Sequence, residues 1–141
     1  MGYVFQVVVD SVNPHALAKW WAQTLGWQVE PSDEDFIREM VAAGHARDED
    51  TITFEGVLVW RAGAGIVDAG SPGTPRVLFQ SVPEAKTVKN RLHLDIRVGD
   101  DRESVVTELE ERGATVLHRG QQGPSVWITM TDPEGNEFCV S

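Results

Sequence analysis

The chain has a single cysteine, Cys139, in 141 residues, so no disulfide can close within it. A lone thiol fits a reducing compartment, and the cytoplasm is the expected location. Long apolar runs are missing too, and none approaches the length that spans a bilayer. The opening Met1-Gly2-Tyr3-Val4 carries neither the basic region nor the apolar core of a secretory signal. Basic residues are scarce: 12 Lys and Arg stand against 22 Asp and Glu, for a net charge of −10. Nucleic acid and anionic membranes both require a basic face, so neither is an expected partner. The chain also lacks a phosphate-binding glycine loop, a Gly-x-Ser-x-Gly elbow, a Cys-x-x-Cys pair and a His-Glu-x-x-His helix. Gly63-Ala64-Gly65 is followed by no helix signal, so the segment Ala62–Pro75 reads as a flexible loop beside a pocket.

What is present describes one globular domain, residues 1–141. The apolar fraction is 41% and the charged fraction 24%, and the length suffices for a sizeable core. The acid is concentrated. Between Glu30 and Asp50 lie eight acidic residues and two basic ones, which reads as a solvated face or as a field for a cationic ligand.

The most informative feature is an internal repeat at an offset of 87. Val4–Asp10 and an amphipathic stretch ending at Gly26 match Arg91–Arg97 and a stretch ending at Gly113. Gln6 falls on His93, and Val7, Val9 and Val29 fall on Leu94, Ile96 and Val116. Duplicated units usually pack about a pseudo-twofold axis, so Gln6 and His93 are expected to face one shared space.

Periodicity supplies the elements. Residues 3–10 alternate as a strand. Asn13 and Pro14 open a helix with Leu17, Trp20, Trp21 and Leu25 on its core face, and Gly26 ends it. Residues 27–30 return as a strand. Asp33–Ala43 reads as a short helix inside an insertion of about 31–50. Short strands follow at Thr51–Phe54, Val57–Trp60 and Arg76–Val82. The second half reads as a strand at Arg91–Val98, a helix capped by Asp100 or Asp101, and strands at Ala114–Leu117, Val126–Thr131 and Glu137–Val140. Gly120–Pro124 and Asp132–Gly135 read as turns. On the two repeated strands, Phe5, Val7, Val9, Leu92, Leu94 and Ile96 should point to the core. Gln6, Val8, Asp10, His93, Asp95 and Arg97 should point the other way.

These residues resemble the vicinal oxygen chelate superfamily, which includes glyoxalase I, fosfomycin-resistance enzymes, extradiol dioxygenases and bleomycin-resistance proteins. The resemblance rests on three segments: Trp20-Trp21-Ala22-Gln23-Thr24-Leu25-Gly26-Trp27, Asn90-Arg91-Leu92-His93-Leu94-Asp95 and Asp132-Pro133-Glu134-Gly135-Asn136. The second segment is similar to a glyoxalase-like branch. The resemblance implies an α+β fold of two tandem βαβββ modules, 3–82 and 91–141, forming a half-open mixed β-barrel around a concave cavity.

It also implies a divalent metal held by the first and last strands of each module. Carried over, those positions are Gln6, Gln80, His93 and Cys139, because the family's metal-binding glutamate sits four residues after the turn glycine, here Gly135. Glu137 lies two residues earlier. The set contains no carboxylate and suits Mg²⁺ or Mn²⁺ poorly. Zinc, held by His93 and Cys139 with Gln6 nearby, is the favoured ion if a metal binds. Asp95 and His93 are the candidate catalytic pair. Trp60 and Trp127, on short strands, are candidate pocket walls beside Gln6, Gln80 and Cys139. His15, His45 and His118 receive no role.

Three functions remain open. One is a small-molecule-binding glyoxalase-like protein without the usual glutamate. Another is a metal-dependent lyase, isomerase or oxygenase acting on a small oxygenated substrate. The third is sequestration of a cationic drug in the manner of bleomycin-resistance proteins. A small-molecule ligand and a second copy of the chain, as a homodimer, are the expected partners.

Overall fold

The computed structural model describes residues 2–141; Met1 lies outside them. The chain divides into two compact units, Met1–Pro83 and Glu84–Ser141. Each carries an open four-stranded sheet, and the architecture is α+β.

In the first unit β1 (Val7–Ser11) leads to α1 (Pro14–Leu25) and β2 (Gln28–Val29). Then come α2 (Glu34–Ala42) and a hairpin of β3 (Thr51–Phe54) and β4 (Val57–Trp60), which pair only with each other. Finally β5 (Gly63–Val67) and β6 (Val77–Ser81) complete a sheet of order β1-β6-β5-β2. The second unit has β7 (Asp95–Ile96), α3 (Arg102–Glu111), β8 (Thr115–Gln122), β9 (Ser125–Thr131) and β10 (Glu137–Val140), in the order β7-β10-β9-β8. Both sheets therefore place the first strand parallel to the last, then the third, then the second. That shared order is the repeat expressed as topology, two tandem βαβββ modules. Gly26 and Gly113 sit at equivalent places after α1 and α3, both with positive φ, at 70° and 102°. α2 and the β3–β4 hairpin have no counterpart in the second unit, so the extra segment runs on through Trp60 rather than ending near residue 50.

The helix faces behave as their spacing dictates. Leu17, Ala18, Trp20 and Trp21 of α1 are buried, and the helix packs across β5 and β6, where Ile66, Val77 and Phe79 are also buried. The two indoles meet edge to face with centroids 5.1 Å apart, a favourable arrangement of their quadrupoles. In the second unit Val106 and Leu109 of α3 join Ile128, Met130, Phe138 and Val140 in the buried set.

Several expectations are corrected. The first strand begins at Val7, not at residue 3, and Phe5 is 70% exposed rather than in the core. The parallel ladder ends at Val7 N–H donating to Arg76 O. In the second unit the regular strand is only Asp95–Ile96, and Leu92 is 88% exposed rather than core. β10 pairs with it at Asp95 and Ile96, opposite Cys139 and Val140. Residues Gly63–Val67 form β5, not a loop. Glycine is there for space: a Cβ on Gly63 would press on the Phe79 carbonyl oxygen across the ladder. β8 also runs to Gln122, through part of the expected turn, with a bulge between Val116 and His118.

Candidate functional site

The second unit builds its site from the closing turn. Asp132 is buried, and its Oδ1 accepts from the backbone N–H groups of Glu134 and Asn136, both at 2.9 Å. Asn136 Nδ2 donates to the same carboxylate at 3.2 and 3.0 Å. The turn residues of Asp132-Pro133-Glu134-Gly135-Asn136 thus launch β10 in a fixed register. That register sets Cys139 opposite Asp95 on one side and Thr129 on the other.

Directly opposed residues share one face of a sheet. Cys139 Sγ lies 3.4 Å from Thr129 Oγ1, and His93 Nε2 lies 3.1 Å from Asp95 Oδ1. One donor atom each from His93, Asp95 and Cys139 falls within 4.8 Å of the other two. His93 and Asp95 are exposed and Cys139 is half-buried, so a ligand or ion has access. The three line a cavity of about 760 Å³ together with Trp127, His118 and Arg97. Gly120 leaves the room that the Trp127 indole occupies: a Cβ there would overlap the ring.

Glu137 also borders this cavity, but its carboxylate is committed. Oε1 accepts from Lys86 Nζ at 2.9 Å and Oε2 from Asn90 N–H at 3.0 Å, and Asn90 Nδ2 donates to Asn136 Oδ1. Burial pushes the Glu137 carboxyl up, but the Asn90 N–H and the Lys86 ammonium outweigh it and hold the group at about 2. It is a firmly ionised clamp on residues 86–90.

The remaining expected site residues lie in the first unit. Gln6 is exposed, and its Oε1 accepts from Arg76 Nη1 at 3.1 Å. The same guanidinium donates from Nε to Glu30 Oε1 at 2.7 Å. Both groups fill the space left by the missing side chain of Gly65. The amide oxygen that a metal would use is therefore turned to a cation. Gln80 is exposed and opposes Asp10. Its expected equivalence to Cys139 is corrected by register. At the offset of 87, Val8 corresponds to Asp95, and the residue opposing Val8 is Leu78, not Gln80. Trp60 does not join Trp127. It lines a different cavity, of about 710 Å³, with Phe36, Phe54, His15 and the Glu30–Arg76 pair.

The structure thus gathers His93, Asp95, Cys139 and Trp127 in one place. Sequence reading gave no role to His118, Arg97, Arg102 and Lys89, which border the same cavity. Arg97 had a signal, since it repeats the spacing of His93 and Asp95. The other three come from a bulged strand, a helix start and an irregular segment.

The family model described as Glyoxalase-like domain matches residues 6–141. No curated protein sequence matches the chain. Among solved structures, the chain is similar to the fosfomycin resistance protein FosX of Listeria monocytogenes, a mutant complexed with Mn(II) and 1S,2S-dihydroxypropylphosphonic acid. The TM-score is 0.64 at 8% identity, over 99% of this chain and 91% of that one. It is similar to a glyoxalase/bleomycin resistance protein/dioxygenase family enzyme from Burkholderia phytofirmans PsJN, with TM-score 0.61, 15% identity and 96% and 94% coverage. FosX from Mesorhizobium loti gives 0.61 at 7% identity, with 99% and 90% coverage. At these identities the likeness is one of fold. No helix among the described residues is long and apolar enough to cross a membrane.

Proposed function

The chain belongs to the glyoxalase-like domain family of the vicinal oxygen chelate superfamily, and from that premise we propose that it binds a small oxygenated molecule in the cavity of its second unit. His93, Asp95 and Cys139 form the reactive cluster. The observation that carries this reading is the approach of three chemically different donors to within 4.8 Å on one cavity wall.

The donor set discriminates among the ions the superfamily implies. An imidazole nitrogen, a carboxylate oxygen and a thiolate suit a borderline-soft ion such as zinc. They suit Mg²⁺ or Mn²⁺ poorly, since those ions call for several oxygen donors. Glu137 and Gln6, which would supply oxygens, are held by Lys86 and Arg76. Zinc with three protein ligands keeps a coordination position for an outside group. When bound, it would polarise an oxygen of the ligand. Trp127 supplies an apolar wall. On this reading Cys139 stands where the resemblance places the metal-binding glutamate, which would set the chain apart from the FosX protein complexed with Mn(II).

Calorimetric titration of the metal-stripped chain should give about one zinc per chain. His93→Ala and Cys139→Ser should each weaken zinc at least about tenfold, with unchanged circular dichroism. Full zinc affinity in both variants would refute the reading. Affinity should also fall with pH in the acid range, because imidazole and thiol must both give up protons to ligate.

A further inference from the structure

The chain carries 22 acidic residues, yet the charge around this cavity is of the other sign. Among the described residues, seven of the twelve lysines and arginines are in ion pairs with carboxylates. Of the five that are not, Lys89, Arg97 and Arg102 all line the second unit's cavity. On the acidic side the cavity has Asp95, engaged with His93, Glu137, neutralised by Lys86, and the carboxyl group of Ser141, whose oxygen accepts from the Val98 and Gly99 N–H groups at 2.6 and 3.2 Å. In a chain of net charge −10, three cations outside any close ion pair at one concave place are unusual. Left unsatisfied, they repel each other for no structural return.

Their geometry suits a ligand. His93, Asp95 and Arg97 recur every second residue and line the same wall. Two residues of extended chain advance roughly 7 Å. Arg97 therefore stands about that far beyond the reactive cluster, the length of a small organic molecule. Arg102 is half-buried at the start of α3, and its Nη1 donates to the Gly99 carbonyl at 2.9 Å, which steadies the guanidinium. Its other guanidinium nitrogens make no hydrogen bond among the described residues. Arginine is the side chain whose fork matches carboxylate and phosphoryl oxygens two at a time. Lys89, at the rim, has its Nζ on the Asn90 carbonyl at 3.3 Å, a neutral and replaceable contact.

We propose that Arg97 and Arg102, with Lys89 at the rim, form an oxyanion subsite, so that the ligand is a small organic acid. Its oxygenated end would lie at the His93–Asp95–Cys139 cluster and its anionic end at the arginines. The proposal rests on the reading of this cavity as the ligand site. It also runs against a cationic drug there, because such a ligand would meet three like charges.

The test is amide NMR of the metal-stripped chain titrated separately with inorganic phosphate and with acetate. Shifts should be largest at Gly99, Arg102 and Arg97. Arg97→Gln and Arg102→Gln should each weaken the tighter of the two anions at least about fivefold. Stronger binding of phosphate assigns a phosphoryl or phosphonyl group, and stronger binding of acetate a carboxylate. Anion affinity unchanged in both variants, shifts centred elsewhere, or no response to either anion would overturn the proposal. His93→Ala and Cys139→Ser should keep anion binding while weakening zinc. Loss of anion binding with zinc intact removes only the acid subsite, and loss of zinc with anion binding intact removes only the metal reading.

Discussion

Replacing Cys139 with glutamate is expected to reverse the ion preference of the chain. Zinc affinity should drop about tenfold and Mn(II) affinity should rise about tenfold, a combined change of roughly two orders of magnitude in selectivity. The wild-type cluster offers nitrogen, oxygen and sulfur from His93, Asp95 and Cys139. A glutamate at position 139 would exchange the soft donor for a carboxylate, giving one imidazole and two carboxylates, a set that harder ions accept. The fold should tolerate the change. Cys139 is half-buried and faces a cavity of about 760 Å³ rather than the core, while its neighbours Phe138 and Val140 are the buried ones. Paired titrations with the two ions measure the switch. A Cys139→Glu chain that still prefers zinc as strongly as wild type would show that the thiol is not a ligand.

Glu137→Gln is expected to do the opposite: to leave zinc binding alone and to destabilise the fold. The Lys86 and Glu137 side chains are only 19% and 12% exposed. Glutamine would leave the ammonium covered without its counter-charge, which costs about 2 kcal/mol or more. The melting temperature should fall by roughly 5 °C. The pH dependence identifies the cause. The folded carboxyl is held at about 2, below its ordinary value of 4.5. Its contribution is therefore complete above pH 4.5 and is lost as pH falls through about 2. The stability gap between wild type and variant should be full at pH 7 and should close across that acid window. Denaturant melts at several pH values check this. A gap that stays constant down to pH 2.5, or a variant that loses zinc, would contradict the assignment of Glu137 as a clamp.

The sequence made the repeat legible because it is written in local signals. Glycine stops at 26 and 113 and alternating strands at matched spacing survive folding as one strand order used twice. The face shared by His93, Asp95 and Arg97 was legible for the same reason, since period two is a property of the chain itself. Cys139 could be counted from Gly135 because the Asp132 turn fixes β10 locally. What could not be read depends on partners distant in sequence. Whether Phe5 and Leu92 are covered depends on where the ladder with the partner strand ends, at Val7 in one unit and at Asp95 in the other. β5 looked like a loop because its glycines answer to the Phe79 backbone, not to their own neighbours. Leu78 rather than Gln80 holds the place equivalent to Cys139 because parallel register leaves no local trace. The cationic rim joins an irregular segment, a strand end and a helix start, which no single window of sequence unites.

The most direct measurement is the electronic spectrum of the metal-stripped chain loaded with one equivalent of Co(II) as a reporter for zinc. The account predicts an intense thiolate-to-cobalt charge-transfer band that vanishes in Cys139→Ser, together with the ligand-field pattern of a four-coordinate ion, and persistence of both in Glu137→Gln. A six-coordinate spectrum without a thiolate band, abolished by Glu137→Gln or Gln6→Ala, would place the ion on the oxygen ligands instead and contradict the site described.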